Sequence, residues 1–467
     1  MTSRSTHARR RLAVGAALAL AVAGTTVAGA AYAVPPQAPA AAGPTTTSLA
    51  PAVKHTGKAP TGYEVTFSLY APDADRVQIK GEWYFERPSE LTRIAGTPDN
   101  PVVETQGILP ADWEPGDVPI AYPNATAANW PVIDMSERGN SGVWTWTTPL
   151  PSGVFTYGYF VDCETDDGSG CTQVADPANL PWNETEDGTI GSTEPNSQVY
   201  VPSDPEFDTV DYSWSGPADE QGELTHVTYA SPGHVSPADE NYLTVYTPPG
   251  YDPERAEPYP TLYLLHGGGG NEIDWTTQGA ANDILDNLIA TGETVPMVVV
   301  MPNNGGYPGS DFNEAFDRDV IDNVIPYIEA NYHVVEDADG RAFSGLSAGG
   351  IATNSFMLKY PETFQYYGMM SAGLAPAYAE LTEEQADPLR DKSILIGGGW
   401  QDPIHAVGFR TNHTGPANQV ATFVAAEIPV TTDFFHGGHE WYVWRILLKD
   451  FVTKVAFAPA AFGEWNG

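Results

Sequence analysis

The chain has 467 residues, 42% of them hydrophobic, which exceeds one ordinary core and sets two domains as the expectation. Its formal net charge of −39 sets the surface against nucleic acid, anionic membranes and polyanionic substrates. Its 2 cysteines are too few for a disulfide-dense scaffold.

Taken in order, the first residues have the layout of an export signal. Arg9, Arg10 and Arg11 form a charged start, residues 12–23 an apolar stretch, and Ala31-Tyr32-Ala33 a small-residue cleavage site. A signal peptide over 1–33 and a secreted, soluble product are expected, with no membrane partner. A membrane anchor suits the Gly- and Thr-interrupted run less well, and the adjacent arginines leave both general and twin-arginine export open. Residues 34–60, rich in Pro, Ala and Thr and without periodicity, read as a disordered linker.

Between 61 and 203 short alternating runs appear at Tyr63, Val65, Phe67 and Leu69, at Val77 and Ile79, and over 143–146 and 154–160. Separated by Pro, Gly and Asp, they predict an antiparallel β-sandwich, with a long aperiodic insertion at 84–135. Cys163 and Cys171 flank an acidic stretch, and in an exported chain that spacing predicts a disulfide closing a hairpin loop. A metal site would need more ligands nearby, and the acidic stretch lacks the ordered spacing of a calcium loop, so no metal is expected. Phe67–Ala74, Gly142-Val143-Trp144, Pro151–Tyr157 and Asp176-Pro177-Ala178-Asn179 resemble an immunoglobulin-like module of the glycogen-binding type that precedes esterases and amylolytic enzymes. That resemblance implies sugar stacking by Trp83, Trp144 and Trp146. Core or domain-interface positions are the favoured reading for these three, because large aromatics dominate sandwich cores.

After a polar linker at 204–218 the rhythm changes. Apolar runs at 224–229, 242–246, 261–265, 297–301, 341–343, 366–370, 393–396 and 430–435 alternate with helical patterns near 280–289, 311–332, 351–358, 416–426 and from 441. This alternation over 219–467 predicts a doubly wound, mostly parallel α/β sheet.

The chemistry of that second domain centres on Gly345-Leu346-Ser347-Ala348-Gly349, a G-x-S-x-G pentapeptide between a strand and a helix. Such an elbow exposes the serine at the tip of a strained turn, and its glycines are needed because no room is left beside it. A serine hydroxyl attacks only if a base removes its proton and a carboxylate orients that base. In chain order Ser, Asp, His, the candidates are Ser347, then Asp402 after the glycines 397–399, then His439 after the last strand. His436 is the runner-up base, and Asp433 and Asp391 are less well placed alternatives to Asp402. An oxyanion hole is expected from the N–H groups of Gly268, in the His266-Gly267-Gly268-Gly269-Gly270 run, and of Ala348. That glycine run lacks the Gly-Lys-Ser/Thr ending and the dinucleotide fingerprint, so phosphate binding is a weak reading.

His266-Gly267-Gly268 with Asn271–Trp275, Gly345–Gly350, Asp402 and Gly438–Trp441 with Trp444 resemble the putative-esterase family. That family contains feruloyl and acetylxylan esterases, enterochelin-type siderophore esterases and mycolyltransferases. The resemblance implies an α/β-hydrolase fold over about 219–456, Ser347 as nucleophile, His439 as base and Asp402 as its orienter, with no cofactor. The preceding module favours the esterase branch, hence a secreted serine esterase removing feruloyl or acetyl groups from plant polysaccharides. A siderophore trilactone esterase and a non-catalytic carbohydrate-binding relic are the alternatives. The first would take polyanionic substrates, and the second would have left damage among Ser347, Asp402 and His439. Trp275, Trp400 and Trp441 are expected to line a flat slot for an ester-substituted sugar or planar acyl group, with Trp444 packed in the core.

Overall fold

The computed structural model describes residues 49–91, 107–120, 132–165, 170–171, 173–179, 196–307, 314–405 and 415–457. The expected signal peptide, most of the expected 34–60 linker, the middle of the 84–135 insertion and the acidic tip at 166–169 lie outside them.

The N-terminal part is β-rich. Its strands are β1 (Ala52–His55), β2 (Tyr63–Tyr70), β3 (Val77–Gly81), β4 (Phe85–Glu86), β5 (Val118–Pro119), β6 (Ile133–Asp134), β7 (Ser136–Glu137), β8 (Val143–Pro149), β9 (Gly153–Val161), β10 (Gln173–Val174) and β11 (Ser197–Val201). One sheet runs β1-β2-β8-β7 and another β10-β9-β3-β6, with β11 also on β9. Every other side chain of β2 is buried, so Val65, Phe67 and Leu69 share one core with Val77 and Ile79 of β3 and Tyr157 and Tyr159 of β9. Cys163, just past β9, is bridged to Cys171.

Three boundaries differ from expectation. Strand β1 lies inside the stretch read as linker, where Pro and Ala hid a short strand that pairs antiparallel with β2. The insertion at 84–135 is not wholly peripheral: Tyr84, Phe85 and Trp113 are buried in the same core, three aromatics without periodic neighbours to announce them. The polar stretch 204–218 is held in place. Asp204 and Asp208 accept backbone N–H groups, and Tyr212 is hydrogen-bonded to Tyr442 across 3.1 Å.

The C-terminal part consists of β12 (Glu223–Val235), β13 (Ala238–Thr247), β14 (Thr261–Leu265), α1 (Asp274–Thr277), α2 (Ala281–Ala290), β15 (Val298–Pro302), α3 (Glu314–Asp319), α4 (Ile325–Asn331), β16 (Arg341–Leu346), α5 (Ala348–Lys359), β17 (Tyr366–Met370), α6 (Glu383–Ala386), β18 (Ser393–Gly399), α7 (Pro416–Ala425), β19 (Thr431–Phe435) and α8 (Trp441–Asp450). Eight strands form one mixed sheet in the order β12-β13-β15-β14-β16-β17-β18-β19. The β12–β13 hairpin joins β15 antiparallel, and from β15 to β19 every pairing is parallel. Both faces are covered, as a parallel sheet requires. Tyr263 and Leu265 of β14 face a core with Phe356 of α5 and Phe423 of α7, while Leu262 and Leu264 face one with Leu285 of α2 and Leu447 of α8.

The helical stripe expected over 311–332 is divided. A π-turn over Val320–Val324 separates α3 from α4. Pro326, in the first turn of α4, has no N–H to donate and its ring crowds the carbonyl four residues back, at Asp322 inside the π-turn, which accounts for the widened turn.

Candidate active site

Strand β16 ends at Leu346 and α5 starts at Ala348, so the whole turn is made at Ser347, with φ 50° and ψ −113°. A side chain there is strained, and the strain is sustained by what surrounds it. The Ser347 N–H donates to the Met370 carbonyl at 2.8 Å. A Cβ on Gly349 would lie 2.5 Å from the His266 carbonyl oxygen, and one on Gly345 would lie 2.6 Å from the Gly349 carbonyl carbon. Strand and helix can meet this closely only because both flanking residues are glycine.

The parallel order β16-β17-β18-β19 brings the loops that follow β16, β18 and β19 to one end of the sheet. The structure brings Ser347, His439 and Asp402 together there. His439 Nε2 is 2.9 Å from Ser347 Oγ, and His439 Nδ1 is 2.9 Å from Asp402 Oδ2. With Nδ1 protonated, the imidazole donates to the carboxylate and accepts from the hydroxyl. Asp402 is 1% exposed, and its other oxygen accepts the Ile404 N–H. Burial alone would lower the pKa of His439, but the charge and hydrogen bond of Asp402 outweigh it and raise it above the ordinary histidine value.

The alternatives are placed elsewhere. Asp433 lies on β19 beside Lys454, 3.7 Å away. The carbonyl of Asp391 accepts from Gln365. His436 Nδ1 contacts the Gln401 side-chain amide at 3.3 Å. That amide also accepts the Gly437 N–H through its oxygen, so Gln401 ties the loop carrying Asp402 to the loop carrying His439.

The glycine run after β14 reaches the elbow. A Cβ on Gly268 would be 3.6 Å from the Ala348 Cβ, and one on Gly267 would be 3.6 Å from the Ser347 Cβ. The run is shaped by His266, whose Nδ1 donates to the Gly267 carbonyl and whose Nε2 accepts the Asn304 N–H at 3.0 Å. Those two bonds need the neutral ring, and burial favours it by lowering the His266 pKa. The histidine was visible in the motif, but its role depends on Asn304, 38 positions on, which no local signal announced.

The expected aromatic slot is corrected. Trp275 is 1% exposed, and its indole N–H donates to the Leu265 carbonyl beneath the glycine run. Trp400 and Trp441 are 7% and 8% exposed and belong to the two cores on opposite faces of the sheet. Trp444, also buried, packs edge-on against the His439 ring with centroids 5.0 Å apart and donates to Ser371 Oγ. These indoles support the site from behind, since the apolar matter that holds the loops is in the core.

A hydroxyl, an imidazole and a buried carboxylate in a line, beside backbone N–H groups at a helix start, can carry out acyl transfer. Among the described residues no helix is long and apolar enough to cross a membrane. The endo-1,4-beta-xylanase/feruloyl esterase of Xylanibacter ruminicola is 31% identical over 325 residues, covering 67% of this chain and 40% of that one. The chain thus spans less than half the length of this curated relative. Among solved structures, a ferulic acid esterase is 22% identical with a TM-score of 0.44, over 51% of this chain and 100% of that one. The enterobactin esterase of Shigella flexneri is 16% identical with a TM-score of 0.48, over 84% and 92%. Residues 236–455 match the family described as Putative esterase, and Ser347, Asp402 and His439 all lie within that stretch.

Proposed function

We propose that the protein is a secreted serine carboxylic-ester hydrolase that removes feruloyl or acetyl groups from plant polysaccharides. The observation that carries this reading is the continuous line from Ser347 Oγ through His439 to Asp402, set on a strained strand-to-helix turn. In the proposed reaction His439 takes the Ser347 proton as Oγ attacks the ester carbonyl. The N–H groups of Gly268 and Ala348 hold the oxyanion, and as the acyl C–O bond breaks the imidazolium gives its proton to the departing sugar oxygen, which leaves as the hydroxyl. Water then enters by the same route and releases the acid from the acyl-enzyme. Asp402 faces His439 Nδ1 and balances the charge that forms on the imidazolium.

The acyl group is proposed from the xylanase/feruloyl esterase relative and from the net charge, which disfavours a polyanionic catecholate. With Trp275, Trp400 and Trp441 buried, it no longer rests on an aromatic slot. The N-terminal β-rich part is proposed to be an immunoglobulin-like module. Trp83 in it is fully buried, while Trp144 and Trp146 are partly so.

The test is hydrolysis by the full chain of acetylated xylan, methyl ferulate, a C16 ester and a catecholate trilactone, with Ser347→Ala as control. Turnover of either of the first two above the others, lost in Ser347→Ala, is expected. Faster turnover of the C16 ester would overturn the acyl assignment, trilactone preference would give the siderophore reading, and turnover of none the non-catalytic one.

A further inference from the structure

His439 does not sit on a strand. It lies in the loop between β19 and α8, two residues before the helix starts at Trp441. Its position therefore depends on how the first turns of α8 are held. Towards the sheet, Trp444 packs on the His439 ring and is anchored to Ser371. The next residue, Arg445, is turned to the N-terminal β-rich part.

Arg445 is 5% exposed, so its guanidinium has left water and needs acceptors for its five N–H groups. Nη1 donates to the Val154 carbonyl at 2.9 Å, and Nη2 reaches Thr156 Oγ1 and Glu82 Oε2, both at 3.2 Å. All three acceptors belong to the β-rich part: two on β9, the third just after β3. Nε donates to the Gln278 carbonyl at 3.0 Å, on the turn that ends α1. The Gln278 side-chain oxygen in turn accepts from Trp441 Nε1 at 3.1 Å and Asn196 Nδ2 at 3.2 Å. One buried cation thus joins β9, the end of α1 behind the glycine run, and α8. The joint is made before the chain ever reaches a substrate. Without acceptors on β9 the guanidinium would be a buried charge missing half its partners, and α8 would have to move to rehydrate it.

We propose that Arg445 is a positioning residue through which the N-terminal β-rich part holds α8, and with it His439, in line with Ser347 and Asp402. The proposal rests on the ester-hydrolase reading for its kinetic consequence. It makes the β-rich part a structural component of the active site and separates this role from any affinity that part has for sugar.

Three full-length variants test it: Arg445→Met on α8, and Glu82→Gln and Thr156→Val on the β-rich side, which touch no residue of the site. Arg445→Met is expected to lower kcat roughly tenfold or more at little changed KM, because a displaced base weakens the transition state rather than ground-state binding. The other two should act in the same direction and less strongly. In all three the acid limb of the pH profile should move to lower pH as His439 separates from Asp402. NMR titration of the His439 ring reads the same displacement without any ester, so it stands if the wild type hydrolyses nothing, an outcome that would sink the functional reading alone. Should Arg445→Met fail to fold, Glu82→Gln and Thr156→Val decide. Wild-type kcat and an unmoved His439 titration in both would overturn the proposal.

Discussion

Asp402 is placed so that its charge is felt by one group above all. Its carboxylate is buried, faces His439 Nδ1 at 2.9 Å and holds the imidazole pKa above the ordinary value of 6.5. Only the neutral imidazole can accept the Ser347 proton, so kcat/KM should rise with pH along a limb lying above that value. In Asp402→Asn the raising influence is lost. The limb should move to lower pH, and turnover should fall by about 10³–10⁴-fold, because the tautomer is no longer fixed. His436→Ala should cost no more than a few-fold, since that ring meets Gln401 and not the serine. A pH profile of kcat/KM for the three proteins checks both. Loss in His436→Ala equal to that in Asp402→Asn would mean that the base is assigned to the wrong histidine. The residues on this line were legible from sequence because each follows a recognisable strand in a fixed order. The roles of Gln401, His266 and Arg445 were not, since each acts through a partner far along the chain that no local pattern announces. The indoles failed for a related reason: Trp275 beside a motif reads the same whether it faces a cleft or lies beneath the loop.

At the scale of elements, the elbow is a contact between backbones. A methyl group on Gly349 would have to share space with the His266 carbonyl oxygen at 2.5 Å and the Leu265 Cβ at 2.8 Å, neither of which can turn away. On Gly268 it would meet only the Ala348 Cβ at an ordinary 3.6 Å. Gly349→Ala should therefore destabilise the domain by about 1–3 kcal/mol and displace Ser347, while Gly268→Ala should unfold close to the wild-type temperature. Thermal unfolding followed by circular dichroism separates the two, and equal losses would show that the glycine run is packed as tightly as the elbow. A second element-level expectation concerns β19 and α8. Burial, then the hydrogen bond and charge of Asp450, push Asp433 up to about 7 against the opposing pull of Lys454. Its folded-state pKa is raised, so the stability it supports is greatest below the usual carboxylate range and is lost as pH rises towards 7. Asp433→Asn removes that dependence. Its melting temperature should gain on the wild type by about 2 °C or more between pH 5 and pH 8, and an unchanged difference would show the carboxyl to be ionised throughout.

The whole molecule is governed by its charge as much as by its cores. Strand and helix periodicity made the large sheet readable because both its faces are buried and each strand is a short apolar run. The β-rich part was harder to bound, since β1 lies among prolines and alanines and much of its core comes from isolated aromatics such as Trp113. Charge acts on both parts alike and can be read without any fold. With 60 acidic residues against 21 lysines and arginines, the folded chain carries −39 at pH 7 in a smaller volume than the unfolded one, so self-repulsion opposes folding. Salt shortens the reach of that repulsion, from about 30 Å at 0.01 M to about 8 Å at 0.15 M. Buried pairs such as Arg445 with Glu82 and His439 with Asp402 are screened far less than exposed carboxylates. The melting temperature should therefore rise by a few degrees between 0.01 and 0.5 M sodium chloride at pH 7, and most of the rise should come below 0.15 M. The same salt should leave kcat for an uncharged ester nearly unchanged, because the charge that acts on His439, that of Asp402, is shielded by burial rather than by ions. Calorimetry and ester turnover across one salt series measure both. A melting temperature that fell with salt would show that attraction between surface charges outweighs their net repulsion, and a kcat that rose in step with stability would tie the site to the surface field.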